Sequence, residues 1–237
     1  MNAEPDALRQ RLERLRGRMA DAARRAGRDP SGVRLIGASK TVAAEVLIEA
    51  VRCGLMDLGE NRVQEAEAKI DRVLAASEGV RPRWHLIGPL QSNKAARAAR
   101  QFDRVHSIDR PEIAHALARH AAAAGRRLPV LVEVNVSGES SKFGVAPTQL
   151  DALVREVAAC RELTLDGLMT LGPRPQPGTD ARPAFARLRE LRDRAEQAAG
   201  VRLAELSMGM SGDFEAAIEE GSTMVRVGTA LFGARSN

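Results

Sequence analysis

The chain has 237 residues, 44% of them hydrophobic, which is ample for a large core, and a formal net charge of +5. Its 31 acidic residues are interspersed among the basic ones and aromatics amount to 3%, with Trp84 alone and no tyrosine, so the stacking platform of a nucleic-acid binder is missing. Cys53 and Cys160 stand apart without a C-x-x-C, and His85, His106, His115 and His120 form no H-x-x-x-H pair. With no signal-peptide core and no apolar run of about 18 residues either, we expect a cytoplasmic chain with no metal site and no membrane span.

In chain order, Leu8, Leu12, Leu15, Met19, Ala22 and Ala26 recur at intervals of three and four, which predicts a helix over 5–27 that Gly27 can end. The apolar run 33–38 reads as a buried strand, and Lys40 follows at its mouth. Alternation then continues: helix 43–53, strand 56–60, helix 61–76, strand 83–88, helix 92–99, strand 104–108 and helix 111–124. Strand 129–136, a polar loop over 137–142, helix 147–160 and strand 163–171 come next. A loop over 172–178 with three prolines leads to helix 180–199, strand 205–208, helix 213–220 and strand 223–227. Eight strands alternating with helices over short connections predict a single parallel (β/α)8 TIM barrel spanning 1–237, with residues 1–30 as an extra N-terminal helix packed on it. A doubly wound open sheet is the alternative. In a barrel the chemistry belongs at the C-terminal ends of the strands.

Lysine and arginine together number 36, yet only Lys40, Lys69, Lys94 and Lys142 are lysines. In a chain that uses arginine wherever a positive charge will do, a lysine surviving at a strand mouth is a candidate for amine chemistry, since arginine cannot lose its proton. Lys40 at a strand mouth is the first candidate, a solvated strand-end charge being the plainer reading. The run from Gly32 to Lys40 fails as a P-loop, because its lysine comes late and the interval is an apolar strand. Ser211 opens the segment 211–213 onto a short helix and could hold an anion together with nearby N–H groups, or simply cap that helix. Arg226, Gly228 and Thr229 follow the last strand, where barrels often place a phosphate site. Lys142 reads as a loop lysine with a possible auxiliary anion-binding role.

Taken together, Ala38-Ser39-Lys40, Gly59-Glu60-Asn61 with Gln64-Glu65, Trp84-His85 through Asn93-Lys94, and Glu133-Val134-Asn135 resemble the pyridoxal phosphate homeostasis protein family. Gly167-Leu168-Met169, Leu206 through Ser211, and Val225 through Thr229 with Phe232-Gly233 extend the likeness, which runs from about residue 33 to the C-terminus. The resemblance implies a barrel like the N-terminal domain of alanine racemase. It makes Lys40 the Schiff-base lysine for pyridoxal 5'-phosphate, gives the phosphate to Ser211, Gly228 and Thr229, and sets Arg226 against the pyridine nitrogen. By the same resemblance Asn61, His85 and Met169 line the ring. Two departures, Ala43 in place of a common proline and the segment 170–173, touch loops only.

The implied function is a monomeric carrier that buffers or delivers pyridoxal phosphate, with apo-enzymes dependent on that cofactor as recipients. The alternative is a weak amino-acid racemase or lyase. An arginine against the ring nitrogen disfavours its protonation and so weakens carbanion chemistry. Racemases of this fold also use a tyrosine as second base, and the chain has none; it stops soon after strand eight, leaving no room for their extra β domain. Two-base racemisation of that kind is therefore not expected.

Overall fold

The structure is a computed structural model that describes residues 3–77, 79–139, 142–173 and 180–233, with side chains from Asp6 onward. Its elements are α1 (Ala3–Arg25), β1 (Arg34–Ala38), α2 (Ala44–Arg52), β2 (Asp57–Glu60), α3 (Val63–Ala76), β3 (Arg83–Leu86), α4 (Ala95–Gln101), β4 (Arg104–Ile108), α5 (Pro111–Ala123), β5 (Leu128–Glu133), α6 (Leu150–Ala159), β6 (Leu163–Met169), α7 (Arg182–Ala199), β7 (Glu205–Ser207), α8 (Phe214–Glu219), β8 (Met224–Val227) and α9 (Thr229–Phe232). Among the described residues the eight strands are parallel and close into a barrel, β8 pairing with β1. The expected (β/α)8 architecture is present, and the open sheet is ruled out by that closure.

Alternation along each strand sorts its side chains. Trp84, Leu86, Val105, Val130, Leu168, Val225 and Val227 face outward into the main apolar cluster, where they meet helix residues such as Leu47, Leu117, Leu188 and Ile218. Inward-facing positions are different in kind. Ile36, Ile87, Leu131, Met169 and Met224 are buried outside that cluster, and they share the interior with His85, His106, Ser207 and Arg226, all buried. Gly59 also faces in: a Cβ there would stand 2.9 Å from Ile36 Cγ2 and from Ile87 Cδ1, so the glycine makes room for both isoleucines.

The strand ends differ from expectation for local reasons. β5 stops at Glu133 because Asn135 turns the chain: its side-chain amide donates to Glu139 O at 2.9 Å and its Oδ1 accepts from Gly138 N at 3.0 Å. β6 stops at Met169; Thr170 still donates its N–H to Ser207 O at 3.1 Å, and its hydroxyl donates to Val134 O at 2.7 Å. The segment read as helix 92–99 opens with a tight turn, Ser92–Lys94, before α4 begins. α9, a single turn, had no counterpart in the sequence pattern. Of the proline-rich loop over 172–178, all but Gly172 and Pro173 lies outside the described residues.

α1 lies outside the barrel against α8 and α9. Leu8, Leu12, Leu15, Met19 and Ala22 are its buried stripe. Its arginines stitch the same contact: Arg11 Nε donates to Leu231 O at 2.8 Å, Arg18 pairs with Glu215 at 2.8 Å and Arg25 with Glu219 at 2.8 Å.

Candidate functional site

Lys40 stands just past β1, exposed and without a partner among the described residues. The backbone beneath it is held hard. Ser39, fully buried, donates its N–H to Gly59 O at 2.9 Å and sets its hydroxyl 2.7 Å from Glu60 Oε1. Lys69, reaching in from α3, donates to Ser39 O and to Glu60 Oε1, both at 2.8 Å. Thr41, immediately after Lys40, has φ 65, a left-handed conformation that a β-branched residue adopts at a cost of about 1–2 kcal/mol. Val42 N–H closes the turn onto Ser39 O at 2.9 Å. Lys40 is thus presented on a strained turn clamped by a buried carboxylate and a second lysine.

Beside it, the segments that follow β7 and β8 supply a hydroxyl and backbone N–H groups that could hold an anion. Ser211 does not cap α8: its hydroxyl accepts from Ala230 N–H of α9 at 3.3 Å, while Asp213 Oδ1 takes Met210 N–H at 2.6 Å. Gly228 and Thr229 lead into α9, whose first N–H groups have no intrahelical acceptors. A Cβ at Gly212, the residue after Ser211, would meet nothing within 4 Å. At Gly228 a Cβ would stand 3.2 Å from Ala38 O, and the glycine lets β8 close tightly against β1. Ser211, Gly228, Thr229 and Lys40 therefore share one stretch of the C-terminal rim.

Arg226 lies inside the barrel on β8. Its Nη1 donates to Ser207 Oγ at 2.6 Å and its Nη2 to Thr170 O at 2.8 Å. Burial lowers its pKa to about 10, opposed by the charges of Glu133 and Asp213, so it stays cationic at neutral pH. Glu133 ends β5 with its carboxyl buried, and that desolvation raises its pKa to about 7 against the pull of Arg226. Met169 ends β6 in register with Glu133 on one side and Ser207 on the other, so it belongs to the same inner row. Asn61 follows β2, half-buried, with its backbone pressed against Gly88.

His85 goes elsewhere. Both of its ring nitrogens are occupied, Nε2 by Asp57 Oδ1 and Nδ1 by His106 Nε2, each at 2.9 Å. The Asp57 contact leads down the barrel, toward the first residue of β2, whereas the His106 contact leads on through Ser207 to Arg226. Sequence reading passed over Lys69, Asp57, His106, Ser207 and the chemical state of Glu133. For Lys69 a signal existed, since the rarity of lysine that singled out Lys40 applies to it equally. Lys142 is engaged in its own loop region, donating to Glu139 Oε1 at 2.6 Å and Gly172 O at 3.0 Å. Among the described residues no cluster of His, Cys, Asp and Glu could hold a metal, and no helix is long and apolar enough to cross a membrane.

Residues 4–236 match the family described as alanine racemase, N-terminal domain. A pyridoxal phosphate homeostasis protein of Pseudomonas aeruginosa is 46% identical over 229 residues, covering 96% of this chain and 96% of the relative. Another, of Aquifex aeolicus, is 44% identical over 226 residues, covering 95% of this chain and 97% of the relative. Among solved structures, PipY of Synechococcus elongatus with PLP bound superposes with a TM-score of 0.83 at 36% identity, covering 95% of this chain and 100% of that one.

Proposed function

The chain belongs to the pyridoxal phosphate homeostasis protein family, on the fold of the alanine racemase N-terminal domain, and from that premise we propose that it holds pyridoxal 5'-phosphate on Lys40 and buffers or delivers it, maintaining intracellular vitamin B6 and amino-acid balance. The observation that carries this reading is the grouping of an exposed amine, a hydroxyl with helix-start N–H groups, and a buried guanidinium on the adjacent strands β7, β8 and β1. That donor set fits the group: an amine for an aldehyde, N–H and O–H donors for a phosphate, and a fixed cation for a ring nitrogen.

Bound pyridoxal phosphate supplies an aldehyde that condenses reversibly with an amine. The chain's residues do the rest. Lys69 and Glu60 hold the strand end so that Lys40 projects from the rim, and Ser211 with the Gly228 and Thr229 amides binds the dianion. Arg226, permanently charged, repels a proton from the ring nitrogen and so withholds the electron sink that carbanion chemistry needs. Strong binding without strong activation is what a carrier requires. We place the protein in the cytoplasm as a monomer that delivers to apo-enzymes dependent on the cofactor. Faster reactivation of an apo-transaminase by the loaded protein than by its spontaneous release of cofactor is the expected result.

The primary test is the visible spectrum of the purified protein beside Lys40→Ala, each followed by borohydride reduction and peptide mass mapping. A cofactor band lost in the variant, with the reduced adduct on Lys40, is expected. An unchanged band in Lys40→Ala would overturn the site. One observation favours a second reading, weak racemase or lyase activity: Glu133 ends β5, the strand opposite β1 in the closed barrel, with a carboxyl that titrates near neutrality. Such activity needs a proton removed from a substrate's α-carbon, so exchange of an amino acid's α-proton with deuterated solvent decides it.

A further inference from the structure

Six side chains form a hydrogen-bonded chain through the barrel interior. Arg83, at the start of β3, donates Nε to Asp57 Oδ1 and Nη2 to Asp57 Oδ2, both at 2.8 Å. Asp57 Oδ1 also receives His85 Nε2 at 2.9 Å; His85 Nδ1 lies 2.9 Å from His106 Nε2; His106 Nδ1 lies 2.9 Å from Ser207 Oγ; and Ser207 Oγ receives Arg226 Nη1 at 2.6 Å. Asp57, His85, His106, Ser207 and Arg226 are all buried.

The direction of every bond follows from one end. Burial works against the charged form of Asp57, but hydrogen bonds from His85 and Arg83 outweigh it and hold its pKa below the ordinary value, so the carboxylate only accepts. His85 must then carry its proton on Nε2. Burial lowers the pKa of His85 and pushes that of His106 well below the ordinary value, keeping both rings neutral with one N–H each. His85 Nδ1 is therefore an acceptor, His106 donates from Nε2, and His106 Nδ1 accepts in turn. Ser207 has to donate its hydroxyl proton to that nitrogen, which leaves its lone pairs for Arg226.

We propose that Asp57, at the end of the barrel remote from Lys40, is a positioning residue for the cofactor site: it sets the tautomers of His85 and His106 and thereby commits the Ser207 hydroxyl to accepting from Arg226. The inference rests on the carrier reading for the role of Arg226 toward the ring nitrogen, but the bond directions stand in the empty protein. Aligned donors polarise one another, so the Asp57 charge strengthens the last bond without touching it. Together with Thr170 O, that bond fixes the plane of the guanidinium.

Asp57→Asn reverses the chain at constant shape. Arg83 claims the single amide oxygen, the amide N–H turns to His85 Nε2, and both histidines shift to the Nδ1–H form. His106 then donates to Ser207 Oγ and competes with Arg226. Long-range nitrogen NMR of the empty protein reads this directly: Nε2–H for His85 and His106 in the wild type, Nδ1–H for both in Asp57→Asn, with affinity for pyridoxal phosphate lowered about fivefold. Ser207→Ala removes both bonds of that hydroxyl, to His106 Nδ1 and from Arg226 Nη1, and leaves Asp57, His85 and His106 bonded as before, keeping the wild-type tautomers while lowering affinity by about the same factor. On loading, the His106 Nδ1 resonance moves in the wild type and stays fixed in Ser207→Ala. An imidazolium or Nδ1–H form of His85 in the wild type overturns the inference, and so do both variants binding the cofactor as the wild type does. If the wild type forms no adduct at Lys40, the carrier reading fails, and the NMR of the empty protein still decides the bond directions. Should Asp57→Asn not fold, the Ser207→Ala comparison decides alone.

Discussion

Glu133 is a carboxyl whose state cannot be read from its neighbours in sequence. Its ordinary value is 4.5, and desolvation on folding takes it to about 7, so between those values the folded chain holds a proton that the unfolded chain has released. Its favourable contribution is complete below about pH 4.5 and is lost as pH rises through 7. His85 and His106 act with the opposite sign: folded they stay neutral, unfolded they bind protons below 6.5, and stability falls as pH drops beneath that value. Glu133→Gln isolates the first effect. Relative to wild type it gains about 3 kcal/mol more at pH 8 than at pH 5, read from urea unfolding of the empty protein; equal differences at the two pH values would mean the carboxyl is solvated. Lys40 was visible as a candidate because lysine is scarce in an arginine-rich chain. Glu133 was not, because only closure of the barrel buries it beside Arg226. His85 was legible only in part: its strand was clear, but its partners come from β2 and β4.

Elements were the most legible level, since a short apolar run bounded by glycine and polar residues and followed by a 3.6-residue period marks each β/α unit. What escaped was set by single contacts. The Asn135 side chain ends β5 early, and α9, at four residues, is too short to show a period. The glycines sharpen the point. A Cβ at Gly88 would stand 2.4 Å from Asn61 O and 2.8 Å from its Cα, and backbone cannot step aside as a side chain can. Gly88→Ala should cost about 2 kcal/mol and weaken cofactor binding by moving Asn61. Gly17 has a Cβ position with nothing within 4 Å, in the middle of α1, so Gly17→Ala should stabilise by about 0.5–1 kcal/mol and leave binding unchanged. Denaturant midpoints and a pyridoxal phosphate titration on both variants check the pair; equal destabilisation would show that the strand-end contact is not what Gly88 serves.

At the scale of the whole molecule, α1 ties the outside of the barrel to α9, beside the proposed phosphate site. Its apolar stripe and its arginines act at different ranges, and the two can be separated. Leu12 is almost fully buried within the main cluster, so Leu12→Ala removes packing that every part of the fold shares and should cost about 3 kcal/mol. Arg11 contributes one hydrogen bond, to Leu231 O in the last turn of the chain's described helices. That bond steadies α9, which brings Ala230 N–H to Ser211 and offers the N–H groups beside Gly228. Arg11→Ala should therefore leave the denaturant midpoint nearly unchanged and lower affinity for pyridoxal phosphate about fivefold. Pyridoxal, which has the aldehyde and the ring but no phosphate, should bind the variant and the wild type alike. A loss shared by both ligands would assign Arg11 to general stability, and no loss for either would mean that α9 holds its place without the helix outside.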